Sequence, residues 1–162
     1  GLFIKDSISL SPILYGSTNQ YSLKPGTLDV ALIASFAKAI KKFYPLTEKN
    51  REIVKEYFNY LKDNLKNYNI VFNTPSEYIT YYILNISIPG VKGETIVHHL
   101  ENKDICVSTG SACSSKLAKP EKTILALTNS TDLASSSKRI SLSPLVKKEE
   151  IEILIKAIKE IK

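Results

Sequence analysis

The residues able to do chemistry in this chain are few, and one of them stands apart. Cys113 lies in "STGSACSSK", where Gly110 and Ser111 make a tight turn easy. Ala112, Ser114 and Ser115 leave room around the sulfur, and Lys116 adds a nearby positive charge. Cysteine reacts as a thiolate and needs access, so this setting suits a working nucleophile. The other cysteine, Cys106, sits between Ile105 and Val107 and reads as a small buried hydrophobe in a strand. The two thiols do not make a metal site, because zinc needs two further ligands. His98 and His99 are adjacent on an expected helix and point about 100° apart, so no metal is expected. Arg51 and Arg139 are the only arginines in a chain whose positive charge is otherwise lysine. An arginine offers a planar, bidentate grip on a carboxylate that lysine cannot copy, which makes Arg139 a candidate binding group.

Several elements must position these side chains. Leu2 to Ile4 reads as a short strand, followed by a loop over 9–25 containing prolines, a glycine and many hydroxyls. A helix is expected from Thr27, capped by Thr27 or Asp29, with Val30, Ile33, Ala34, Ala37 and Ile40 at helical spacing. After Pro45 a second helix is expected from a Thr47 cap, with Ile53, Val54, Tyr57, Phe58 and Leu61 on one face. Strands are expected over 68–73 and 80–88, a helix over 93–101, and a short buried strand over 105–107. The Cys113 loop occupies 108–119. Pro120 opens a short helix to Leu127, and "TNSTDLASSS" is a polar loop with room for one helical turn. A strand over 138–142 carries Arg139, and an amphipathic helix over 147–162 closes the chain. Its Glu149 and Glu150 suit the positive end of the helix dipole, and Lys159 and Lys162 the other. The pattern is that of an α/β (α+β) fold with a mixed or antiparallel sheet covered by helices.

Bulk properties exclude several function classes. The 162 residues are 43% hydrophobic and 23% charged, which suits a folded domain with a core. No apolar run approaches membrane-spanning length, and the first residues lack the pattern of a secretory signal. Two cysteines cannot build a disulfide scaffold, so a reducing, cytoplasmic setting is expected. The net charge of +6 comes from lysines that alternate with acids along helix-like segments. That is a solvated surface rather than a nucleic-acid-binding face.

"DICVSTGSACSS", residues 104–115, resembles the active-cysteine segment of the NifS-like cysteine desulfurases, a branch of the class V aminotransferases. Other segments resemble that family in the same order: "GLFIK" at 1–5, "GSTNQYSLKPGT" at 16–27, "GVKGETIVHHLENKDICVS" at 90–108, "KRISLSP" at 138–144 and the last helix. The resemblance implies a pyridoxal phosphate (PLP) enzyme of fold type I that takes sulfur from L-cysteine, releases alanine and keeps the sulfur as a persulfide. It implies that Cys113 is the nucleophile, that Arg139 holds the substrate carboxylate, and that Thr27 reaches the cofactor phosphate of a neighbouring subunit. A homodimer and a sulfur-acceptor protein, such as an iron–sulfur scaffold, follow as partners.

The resemblance also divides the chain. Residues 1–26 correspond to the end of the large PLP domain and a dimer-contact loop, and 27–162 to the C-terminal small domain. The segment with the cofactor lysine, the ring-stacking histidine and the aspartate on the pyridine nitrogen is matched nowhere in these residues. The chain is therefore expected to be a C-terminal part that does not itself hold PLP covalently. It departs from the family pattern at Ser17 to Gln20, Lys24 and Ser143. Two other readings stay open: a selenocysteine lyase-like enzyme, and a non-catalytic module for sulfur relay or dimerisation.

Overall fold

The computed structural model describes residues 2–75, 79–109 and 120–161. The order of regular elements is α1 (Val30–Phe43), α2 (Thr47–Leu65), β1 (Val71–Phe72), β2 (Ile83–Ser87), α3 (Gly93–Glu101), β3 (Ser108–Thr109), α4 (Lys122–Thr128), α5 (Thr131–Ser136), β4 (Lys138–Ser141) and α6 (Lys148–Lys159). The chain divides into two compact units, residues 1–45 and 46–162.

The first unit is a loop and one helix. Asp29, not Thr27, caps α1, its carboxylate accepting from the Leu32 N–H at 2.8 Å. The expected strand at Leu2 to Ile4 does not form; Leu2 and Phe3 are exposed and pair with no neighbouring strand among the described residues. No described residue of this unit is buried, although α1 has a clear apolar face.

The second unit holds the core. Its sheet has the strand order β1-β2-β4-β3, and every neighbouring pair is antiparallel. Because side chains alternate across a strand, the sheet has two unlike faces. Leu84, Ile86 and Ile140 are buried on one face. Asn85, Arg139 and Ser141 occupy the other. The apolar face is covered by helices. Val54, Phe58, Leu61 and Leu65 recur along one side of α2, while Glu48–Arg51, Glu52–Lys55 and Asp63–Lys66 pair on its wet side. Ile151, Leu154, Ile155 and Ile158 of α6 and Ile96 and Leu100 of α3 complete the same cluster. His99 Nε2 lies 3.0 Å from the Ala157 carbonyl oxygen, tying α3 to α6. In α6 the Glu150 carboxylate accepts from the Lys147 N–H at 2.7 Å, which closes the first turn.

Four local expectations need correction. The strand after α3 is Ser108–Thr109, not residues 105–107, and Cys106 is exposed rather than buried. Asp104 turns the chain with φ 58, and the Ile105 N–H bonds back to the Leu100 carbonyl at 3.0 Å. Ile105 and Val107 then face the core, and alternation sends Cys106 outward. Leu46, not Thr47, takes the cap position of α2. The serine-rich stretch forms a six-residue helix, α5, because the Ser130 hydroxyl accepts from the Leu133 N–H at 3.3 Å.

Candidate active site on the polar sheet face

Arg139 is the middle of a row of three. In register it stands between Asn85 of β2 and Ser108 of β3. Directly opposed residues share a face, with Cβ atoms about 5 Å apart. Arg139 is exposed, and among the described residues no carboxylate lies within ion-pair distance of it. A guanidinium held on a central strand, open to solvent and unmatched by an acid, is set up to receive an anion.

β3 ends one residue before the segment that contains Cys113. Cys113 itself lies outside the described residues. The structure therefore brings Arg139 beside the entry to the cysteine segment, through the Ser108–Arg139 pair.

Thr27 belongs to the first unit. It is exposed, one residue after Gly26, whose φ is +104 and whose absent Cβ would meet nothing within 4 Å. The Gly26 N–H donates to the Ser17 hydroxyl at 3.3 Å. A side chain at position 26 would be strained; glycine leaves the backbone before Thr27 open. A hydroxyl beside open backbone suits one contact to a phosphate group.

Two residues that sequence reasoning missed shape the face. The first is Asn85, the polar residue inside "ILNIS". Alternation of Leu84 and Ile86 with Asn85 and Ser87 is visible in the sequence and was the available signal. Asn73 Nδ2 donates to Asn85 Oδ1 at 2.7 Å and to Ser87 Oγ at 2.7 Å, and Ser87 Oγ donates to the Leu133 carbonyl at 2.7 Å. The Thr74 hydroxyl accepts from the Asn85 N–H at 2.8 Å. This network anchors β2 to the chain after β1 and to α5.

The second is Lys138, 2% exposed on the opposite face, next to Ile86 in register. Its Nζ donates to the Ser137 carbonyl at 2.7 Å and lies against Gly93. Burial lowers its pKa from 10.5 to about 8. Adjacent strand residues thus carry two cations to opposite faces, one buried and one open.

Known proteins similar to this chain show its family and its fold. A family model described as aminotransferase class-V matches residues 5–154. The chain belongs to the aminotransferase class-V family. It is 32% identical to a NifS/IcsS protein homolog of Lactobacillus delbrueckii subsp. bulgaricus, over 99% of this chain and 42% of that protein. It is 33% identical to cysteine desulfurase IscS of Plasmodium falciparum, over 86% of this chain and 25% of that protein. Among solved structures, a NifS-like protein from Rickettsia africae superposes with a TM-score of 0.78 at 26% identity, over 94% of this chain and 40% of that one. The chain thus spans less than half the length of these relatives. The class V assignment and the α/β fold implied by the motif order are both borne out. Among the described residues no group of three or more potential metal ligands occurs, and no helix is long and apolar enough to cross a membrane.

Proposed function

We propose that this chain is the C-terminal part of a PLP-dependent cysteine desulfurase that transfers sulfur from L-cysteine to Cys113 and releases alanine. The observation that carries the reading is Arg139, open and, among the described residues, unpaired with any acid on the polar face, opposite the strand that leads into the Cys113 segment. The relatives named as cysteine desulfurases support it.

In this reading Arg139 grips the α-carboxylate of L-cysteine with two parallel N–H bonds and so fixes the orientation of the amino acid. Bound PLP supplies an electron sink for cleavage at the β-carbon. The Cys113 thiolate attacks the substrate sulfur. An S–S bond forms, the C–S bond breaks, and its electron pair stays with the carbon that becomes the alanine methyl group after protonation. The sulfur remains on Cys113 as a persulfide, from which an acceptor can take it. Thr27 would contact the phosphate of PLP held by a neighbouring subunit, and the working form would then be a homodimer. Residues 1–26 then end the large domain and 27–162 form the small one. A sulfur-acceptor protein, such as an iron–sulfur scaffold or a component of tRNA thiolation, takes the sulfur in the cytoplasm, where a free thiol persists.

The test is alanine release from L-cysteine by the full reading frame that encodes this chain, supplied with PLP and a reductant. Cys113→Ala should abolish sulfide and alanine together. Arg139→Ala should lower kcat/KM by about a hundredfold, the loss of two charge-assisted hydrogen bonds. An unmutated protein that releases no alanine would contradict the reading.

A further inference from the structure

The row on the polar face contains more than one donor. Asn85 and Arg139 are directly opposed and share that face. The direction of the Asn85 amide follows from a single proton. Ser87 Oγ has one hydrogen and gives it to the Leu133 carbonyl at 2.7 Å. Toward Asn73, also 2.7 Å away, Ser87 then accepts, so Asn73 presents its Nδ2 there and leaves its own buried Oδ1 without a partner among the described residues. The same Nδ2 faces Asn85 at 2.7 Å, so Asn85 must present its Oδ1 there. Reversing the Asn73 amide would draw the Ser87 proton away and leave two oxygens facing each other across the Ser87–Leu133 contact.

Asn73 follows β1, on one side of β2, and Arg139 lies on the other side. With its oxygen tied toward Asn73, Asn85 turns its two Nδ2 hydrogens away from β1. Among the described residues nothing accepts them, and none accepts from the Arg139 guanidinium. Asn85 is half-buried, so its unused donors sit at a partly desolvated place beside a cation. Neighbouring donors of this kind call for one shared anionic acceptor.

We propose that Asn85 is a second carboxylate-binding residue, its Nδ2 donating to one oxygen of the amino-acid carboxylate that Arg139 holds. The assignment rests on the reading of Arg139 given above. The side-chain network through Asn73, Ser87 and Leu133 sets the amide before substrate arrives, so little ordering is needed on binding.

Two substitutions separate binding from a structural role. Asn85→Asp keeps an oxygen to accept from Asn73 but replaces both donors with an anion beside Arg139. Asn85→Ala removes both functions. In the full reading frame, Asn85→Ala should raise KM for L-cysteine about tenfold with kcat nearly unchanged. Asn85→Asp should raise KM further while keeping the melting temperature. An Asn85→Asp protein that matches the wild type in KM would show that the residue serves only the network and would overturn the proposal.

Titrating the 15N-labelled chain with L-cysteine, and with cysteamine as the analogue lacking a carboxylate, tests binding without turnover. The Asn85 side-chain amide and Arg139 Nε–H signals should move together with L-cysteine and stay still with cysteamine. Joint movement in a protein that releases no alanine would sink the desulfurase reading and leave the carboxylate site standing. Alanine release with movement of Arg139 alone, or of neither signal, would overturn the role of Asn85.

Discussion

Lys138 is a cation at a position where β4 otherwise buries hydrocarbon. Its folded-state pKa is lowered to about 8 by burial, against 10.5 for the free side chain. The folded state therefore penalises the charged form. The penalty is full below about pH 8, shrinks as pH rises to 10.5, and vanishes above, where the amine is neutral in both states. The gap corresponds to about 3 kcal/mol. Lys138→Met should raise the melting temperature at pH 7 and flatten its rise between pH 8 and 10.5, as read by thermal unfolding across that range. An unchanged pH profile would show that the ammonium is not desolvated. Arg139 and Cys113 could be singled out in the sequence by residue type and by motif. Lys138 could not, because nothing in "SSSKRI" says which of two adjacent cations faces the core. That is set by the pairing of β4 with β2, a contact between residues more than fifty positions apart.

At the scale of elements, α3 shows how closely two segments meet. A Cβ at Gly93 would stand 2.5 Å from Lys138 Nζ and 2.6 Å from the Ser135 carbonyl oxygen. The amine can move, but the carbonyl belongs to α5 and cannot move without it. Gly93→Ala should therefore destabilise the chain by about 1–3 kcal/mol, measured by urea unfolding. A neutral result would mean that α5 shifts freely. The bounds of α3 were legible because Ile96 and Leu100 keep helical spacing. The short strands were less so. β1 and β3 have two residues each, too few to carry a period, and only their partners define them. Cys106 was misplaced for that reason: an apolar triplet reads as buried throughout until alternation assigns its middle residue to solvent.

For the whole molecule, the division into units 1–45 and 46–162 predicts unequal stability. The second unit owns every buried residue described, and the first owns none. Isolated helices of this length are marginal in water. Amide hydrogen exchange should be slower in β2, β4 and the buried turns of α2 and α6 than in α1, by a factor on the order of a thousand or more. Equal protection in α1 and α2 would contradict this. The α/β class was legible from the order of periodic segments. The strand order was not, since β4 inserts between β2 and β3 and no local pattern encodes that. The central claim is that sulfur from L-cysteine comes to rest on Cys113. The most direct test incubates the PLP-loaded full reading frame with L-cysteine, alkylates it without reductant and reads the cysteine peptides by mass spectrometry. The account predicts one added sulfur on the Cys113 peptide and none on the Cys106 peptide. Added sulfur on Cys106 alone, or on neither, would contradict it.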